Sequence, residues 1–391
     1  MTTGTSTVTA APRPRTAALS AGMTALAVFA AVRAFGALVI AVASWWLGKD
    51  PLAVLGTSFD SGWYIAITEH GYGRSLAWPH SGSVQSDLAF FPLYPSLMRL
   101  TTLLLPVGAA GAGLLVAWGA AAAAAVGVYR VGERVAGARA GVLLVALWGA
   151  QPHAVVFTIG YTEPLLAALA AWSLYALLRE RWLWAAGLAV LAGLTRPTGI
   201  AVAAAVSLAA LYALLARGAH RRPEVWAAGL LAPAGWAAYV LAVGAHQDDL
   251  LGGYFAVQDS WGSRFDFGAG AVRSAAKVLA GHGSPQAAMT LAVLAVALGL
   301  MVLLVVDRAA LGPAALPLLV YCAVLLVITL GGAGFFESKP RFLLPAFPLL
   351  LPAAAAMAKA RPRTAVVVTG VLAGLSCGYG AYLMLGPHVP L

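Results

Sequence analysis

Apolar stretches of about 20 residues recur from end to end of this chain, the length that a helix needs to cross about 30 Å of hydrocarbon. They fall near residues 23–47, 108–128, 140–157, 164–178, 183–195, 200–216, 225–244, 287–306, 313–330, 342–358 and 364–385. Inside a bilayer every backbone N–H and C=O must find a partner within the protein, so such stretches fold as helices. The sequence therefore predicts an all-α polytopic membrane protein with about eleven spans, in a range of roughly 10 to 13. Composition agrees: 61% of the 391 residues are hydrophobic and 10% are charged, where an average soluble domain is about a quarter charged. The first stretch is too long for a signal peptide and lacks a convincing small-residue cleavage site, so it is expected to remain as an anchor. Residues 1–20, rich in Thr, Ala and Pro, read as a disordered cytoplasmic tail. Residues 21–391 read as one transmembrane domain. Cys322 and Cys377 both lie in apolar stretches, which supports neither a disulfide framework nor a thiolate metal site.

A formal charge of +10 would suggest nucleic acid in a soluble protein, but here the basic residues stand in short clusters between apolar stretches. These are Arg13 and Arg15; Arg130, Arg134 and Arg139; Arg179 and Arg181; Arg217, Arg221 and Arg222; and Lys359, Arg361 and Arg363. Such placement orients a membrane protein by the positive-inside rule. With a cytoplasmic amino terminus, alternation puts all the clusters inside, which with Arg308 makes 14 basic residues against Glu133, Glu180, Glu224 and Asp307. The other ten carboxylates fall outside: Asp50, Asp60, Glu69, Asp87, Glu163, Asp248, Asp249, Asp259, Asp266 and Glu337. Acidic residues carry little weight in topology, so their one-sidedness points to a polar site on the outer face. The stretch 90–106 is apolar but short and holds Pro92, Pro95 and Arg99. If it crossed, the following basic loops would invert, so it is expected to lie in the outer interface with Arg99 snorkelling. Three outer elements result, at about 46–107, 245–286 and 332–341. No internal repeat is evident, which weakly disfavours an inverted-repeat transporter.

Asp60 lies among Phe59, Trp63 and Tyr64, with His70, Tyr72, Phe90, Phe91 and Tyr94 further along. Two readings stay open on residues alone. Trp and Tyr favour any membrane interface, so this could be an aromatic belt with solvated acids. Alternatively, a carboxylate in a partly dry aromatic pocket has a tunable pKa and serves as a general base.

The run from Phe59 through Asp60, Trp63, Tyr64 and His70 to Tyr72, followed by Ala89-Phe90-Phe91-Pro92-Leu93-Tyr94-Pro95, resembles the signature of the PIG-V family. Tyr161-Thr162-Glu163-Pro164-Leu165, Leu194-Thr195-Arg196-Pro197-Thr198-Gly199 and the stretch from Lys339 and Arg341 to Pro348 match in order, so the resemblance covers Phe59 to Pro348. PIG-V proteins are mannosyltransferases of the GT-C type, known from the second mannose of glycosylphosphatidylinositol anchors. The resemblance implies a polyprenyl-phosphate mannose donor, an acceptor hydroxyl on a lipid-linked or membrane-proximal glycan, and inverting transfer on the extracytoplasmic face of the plasma membrane. It implies Asp60 as the base, with Trp63 and Tyr64 lining the substrate site. No cofactor is expected: no His-x-x-x-His motif, carboxylate triad or glycine-rich phosphate loop appears, and a divalent cation has no positive support.

Such chemistry also needs cations for the leaving lipid phosphate. Arg196, Lys339 and Arg341 are the candidates at the outer surface, with interfacial snorkelling as the plain alternative for each. Glu163 stands between two spans, where a lone carboxylate costs about 2.5 to 3.5 kcal/mol, so it needs a partner, either sugar hydroxyls or a cation. Arg33, inside the first span, needs one on a neighbouring helix. His70 reads as structural or as a group orienting the base or phosphate, and Asp87 as a second candidate acid. The tract Gln258-Asp259-Ser260-Trp261-Gly262 lines the outer cavity with no assigned role. Alternatives are another sugar or a protein acceptor on the same fold, or a non-catalytic carrier or scaffold for lipid-linked sugars. The Ala, Gly and Arg usage suggests a GC-rich bacterial genome, where the acceptor would be a cell-envelope glycolipid or polymer.

Overall fold

A computed structural model of the chain describes residues 15–77, 84–216 and 218–386. The helices are α1 (Arg15–Trp46), α2 (Pro51–Thr57), α3 (Ser61–His70), α4 (Leu93–Leu104), α5 (Ala109–Ala136), α6 (Ala138–Gly149), α7 (Glu163–Leu178), α8 (Trp182–Gly193), α9 (Ile200–Ala216) and α10 (Pro223–Leu231). They continue as α11 (Ala234–His246), α12 (Gly253–Ser260), α13 (Ala269–Leu279), α14 (Pro285–Val306), α15 (Arg308–Leu311), α16 (Ala315–Gly331), α17 (Lys339–Phe342), α18 (Leu351–Lys359) and α19 (Pro362–Leu385). Among the described residues the only sheet is a hairpin, β1 (Ser75–Ala77) against β2 (Val84–Ser86), antiparallel with Leu76 opposite Gln85.

Seven helical segments are long and apolar enough to cross a membrane, and an eighth joins them if the pair Phe336–Phe342 and Phe347–Lys359, bent by 80°, is one broken span. Three shorter apolar helices, α6, α7 and α8, complete the set. Together they occupy every position at which the sequence predicted a span, and the protein is an all-α polytopic membrane protein. One boundary differs. The first helix starts at Arg15, so residues 15–20 belong to it rather than to the expected tail. Propensity explains the difference, because Ala and Leu there continue the helix without a breaker. Residues 1–14, with Arg13, and Arg217 lie outside the described residues.

The bundle is held by small-residue contacts, as expected where hydrocarbon on both sides removes the hydrophobic drive between helices. At the α5–α6 crossing, a Cβ on Gly132 would lie 2.8 Å from Gly141 Cα, and one on Gly141 2.9 Å from the Tyr129 carbonyl. Below this crossing Trp148 is fully buried, with ring centroids 5.0 Å from Phe29 and 4.3 Å from Phe157. Arg33 reaches the neighbouring helix α19 as expected, where its Nη2 lies 3.4 Å from Ser376 Oγ and 3.7 Å from Cys377 Sγ. Both cysteines are buried and free.

The first loop is itself folded. Asp50 caps α2 by accepting the Leu52 N–H at 3.0 Å, and α4 buries Tyr94, Pro95 and Met98 while exposing Leu103 and Leu104. With 12 residues α4 is short, and it packs against α3 and α5. Cross-links gather the three loops at one end. The Leu93 N–H donates to Leu194 C=O at 3.0 Å, Tyr239 Oη donates to Phe90 C=O at 2.6 Å, and Trp261 Nε1 donates to Ser86 C=O at 3.0 Å. Phe265 bridges to Gly332.

Gly141→Val forces the α5 and α6 backbones apart, and the expected cost is about 1–3 kcal/mol, read as a lower melting temperature of the detergent-solubilised protein.

Candidate active site

The loop end of the bundle carries two carboxylates and two guanidiniums in one chain of contacts. Arg341 Nη1 lies 3.2 Å from Asp60 Oδ2 and 3.2 Å from Tyr161 Oη, and its Nε lies 3.5 Å from Glu163 Oε1. Arg196 Nη1 lies 2.6 Å from the same Glu163 oxygen and donates to Thr162 Oγ1 at 2.8 Å. The Glu163 side chain is 1% exposed and that of Asp60 33%. The quartet thus runs from a buried core to an open carboxylate. The Arg196–Glu163 contact is close but off the hydrogen-bond axis: neither Glu163 oxygen nor Arg341 Nε has an aligned hydrogen-bond partner among the described residues. Charge proximity therefore holds Glu163 while its lone pairs stay unused.

Each member is placed by a break in regular structure. Asp60 precedes α3, after Phe59 in the left-handed region at φ 55°. An aspartate at this position ordinarily caps its helix. Here its side chain makes no cap bond and turns to Arg341 instead. Its backbone N–H donates to Tyr161 Oη at 2.9 Å, and Ser61 Oγ donates to Gly160 C=O at 3.0 Å, so α3 is pinned to the segment that leads into α7. Burial, and then the Asp60 charge, raise the Tyr161 phenol well above its ordinary pKa, which keeps it a neutral bridge. Glu163 opens α7, followed by Pro164 in the first turn, where a carboxylate meets the positive end of the helix dipole. Arg196 is extended between α8 and the turn Pro197–Gly199. That turn packs so closely on α8 that a Cβ on Gly199 would overlap the Ala192 carbonyl. Arg341 lies in α17, at the broken span, with its guanidinium 5.0 Å from the Phe342 ring and 5.3 Å from Tyr161. Arg196 shares the Phe342 ring at 5.8 Å.

An aromatic wall adjoins Asp60. Trp63 stacks on Phe90 at 5.7 Å and meets Trp261 edge-on at 5.1 Å. Tyr64 is buried against Phe90 and Tyr94, with its hydroxyl 3.4 Å from Thr162 Oγ1. Burial raises its pKa, so it remains neutral.

Of the residues that the sequence nominated, Asp60, Glu163, Arg196 and Arg341 come together, with Trp63 and Tyr64 beside them. Three do not. Lys339 turns away: its Nζ donates to Thr329 C=O at 2.5 Å and Gly332 C=O at 2.7 Å, capping the carbonyl end of α16. Asp87 is 1% exposed and accepts the N–H groups of Gly73 and Arg74 at 3.0 and 2.8 Å, bracing the hairpin. His70 is exposed at the far end of α3, roughly 15 Å along the helix from Asp60 at 1.5 Å per residue. Tyr161, Thr162 and Phe342 were missed as contributors. Their signal was adjacency to Glu163 and Arg341 inside the same motifs. Among the described residues, no three His, Cys, Asp or Glu side chains gather in a metal-binding group.

This helical frame, with a folded first loop and a charged cluster at the loop end, is a membrane protein fold of the GT-C type. The chain is similar in structure to ArnT from Cupriavidus metallidurans bound to undecaprenyl phosphate, with a TM-score of 0.54 and 15% identity over 86% of this chain and 63% of ArnT. It is similar also to the Archaeoglobus fulgidus oligosaccharyltransferase, with a TM-score of 0.51 and 14% identity in the apo form, over 91% of this chain and 55% of that one. The same enzyme tethered to an acceptor peptide containing the NVT sequon aligns with a TM-score of 0.54 and 12% identity, over 92% of this chain and 56% of that one. The chain therefore spans less than two thirds of the length of these structures. No protein-family model matches it, and no curated protein does.

Asp87→Ala strips two backbone N–H groups of their acceptor, at an expected cost of about 1–3 kcal/mol, and should speed proteolysis within the first loop. Lys339→Met should lower the melting temperature by uncapping α16.

Proposed function

We propose that this chain is a membrane mannosyltransferase of the PIG-V type. In this reading it transfers mannose from a polyprenyl-phosphate donor to a membrane-associated glycolipid or glycan acceptor on the extracytoplasmic face of the plasma membrane. The observation that carries the reading is the Asp60–Arg341–Glu163–Arg196 quartet at the loop end of a GT-C fold. The neighbours add context, since ArnT is seen with undecaprenyl phosphate and the archaeal enzyme with an acceptor peptide. The identity of the sugar rests on the sequence resemblance alone.

Asp60, the most exposed member of the quartet, takes the proton of the acceptor hydroxyl as its oxygen attacks the anomeric carbon. The bond from that carbon to the donor phosphate breaks on the opposite face, and the leaving phosphate keeps the electron pair. Arg341 and Arg196 receive its charge, Arg341 through a planar fork already oriented by Tyr161 and Phe342. Glu163 keeps both guanidiniums compensated and offers unused lone pairs to sugar hydroxyls. Trp63, Phe90 and Trp261 supply an apolar aromatic corner for a sugar ring, and this gives the Gln258–Gly262 tract a role through Trp261.

In proteoliposomes with polyprenyl-phosphate [14C]mannose and a membrane lipid extract, transfer of label should fall about 10²–10⁴-fold in Asp60→Asn and about 10²–10³-fold in Arg341→Gln. Expression should be retained in Asp60→Asn. Turnover retained in that variant refutes the base assignment. Glucose transfer in place of mannose refutes the sugar assignment and leaves the base intact.

A further inference from the structure

The segment from Ser86 to Phe90 leads from the hairpin towards α4, and each of its carbonyls accepts a hydrogen bond. Asp87 C=O takes a backbone donor, the Phe90 N–H at 3.0 Å. The other carbonyls are held by side chains. Ser86 C=O accepts from Trp261 Nε1, Leu88 C=O from Tyr239 Oη and Ala89 C=O from Gln258 Nε2, each at 3.0 Å. Phe90 C=O lies 2.6 Å from Tyr239 Oη and 2.9 Å from Tyr72 Oη. Backbone that satisfies its polar groups through side chains of distant elements is placed by those elements.

The donors are themselves fixed. Tyr239 belongs to α11 and is buried with its ring 4.4 Å from that of Phe91. Gln258 belongs to α12, and its amide nitrogen also donates to the hydroxyl of buried Tyr254 at 2.9 Å. Both amide protons are thereby engaged, which sets the orientation of the group. The Phe90 ring, at the end of the gripped segment, is the hub of the aromatic corner. It stacks on Trp63 at 5.7 Å and meets Tyr64 and Trp261 edge-on, each at 5.2 Å. Trp63 in turn stands in the first turn of α3, where its N–H donates to Asp60 C=O at 3.0 Å.

We propose that Tyr239 and Gln258 are positioning residues for sugar binding: by gripping the backbone of Ala89 and Phe90 they hold the Phe90 ring against Trp63, and so set how tightly the donor's sugar ring is held beside Asp60. The proposal rests on the transferase reading above. It gives the second outer loop a part in binding that goes beyond the Trp261 ring. It also divides the labour kinetically. The quartet acts on charge that develops during transfer, whereas the corner touches the sugar ring throughout, so loosening the corner weakens ground state and transition state alike and appears in KM.

Initial rates of the full chain in proteoliposomes, measured against the concentration of polyprenyl-phosphate mannose, test this. Tyr239→Phe and Gln258→Glu keep the side-chain shape and remove the donated proton. Each should raise the donor KM by about threefold to tenfold, the worth of one hydrogen bond, with kcat nearly unchanged. Phe90→Leu should raise KM by itself, and in that background Tyr239→Phe should raise it no further, because the route to the sugar is gone. A merely structural role would lower the melting temperature and the yield of active protein and leave KM where it was. If Tyr239→Phe fails to fold, Gln258→Glu and its combination with Phe90→Leu decide the matter. With the wild type transferring mannose, an unchanged KM in the single variants, a fall in kcat alone, or a full effect persisting in Phe90→Leu overturns the proposal and leaves the transferase reading intact. A wild type that transfers nothing removes both.

Discussion

The guanidinium of Arg341 is the contact on which the loop end depends. It joins α17, at the broken span, to the start of α3 through Asp60 and to the segment before α7 through Tyr161 and Glu163. Taking such charges out of water is costly unless each is matched, and removing one partner of a buried pair costs about 3–5 kcal/mol. The four charges therefore hold one another in place. The same economy makes the cluster responsive, because any anion that reaches Arg341 competes with Asp60 for one guanidinium.

Irregular backbone at membrane depth is tolerated only where protein buries it or a cavity needs it. Here the breaks and the charges coincide: the segment before α7, the extended residue Arg196, and the 80° bend after α17 each carry one member of the quartet or its ring supports. Helix continuity elsewhere supplies rigidity, through the close Gly132–Gly141 crossing and the buried Phe29–Trp148–Phe157 stack. The aromatic wall is built differently, from two loops that meet through Trp261 and Ser86.

Most of the helical frame was legible in the sequence because bilayer thickness fixes the length of apolar runs, and the structure puts a helix at every expected position. Glu163, Arg196 and Arg341 were legible for the same reason, since charges that interrupt apolar runs need partners. The partners themselves were not legible. Nothing local distinguishes a lysine that caps the carbonyls of α16 from one that clamps a phosphate, and Lys339 does the former. Asp87 was equally opaque, because its acceptors' donors at Gly73 and Arg74 reach it only once the hairpin closes. Tyr161 stood in the sequence only as part of a matching motif, and the fold alone puts its hydroxyl between the Asp60 N–H and Arg341.

The quartet has a consequence for encounter. Two carboxylates and two guanidiniums carry no net formal charge, so their field fades within a few ångströms and cannot draw a charged molecule from a distance as a single-sign cleft does. The lipid-linked donor proposed above would arrive by lateral diffusion in the bilayer and meet strong charge only on contact. For such a donor the rate of arrival would be set by membrane fluidity and two-dimensional concentration, and would be nearly insensitive to ionic strength.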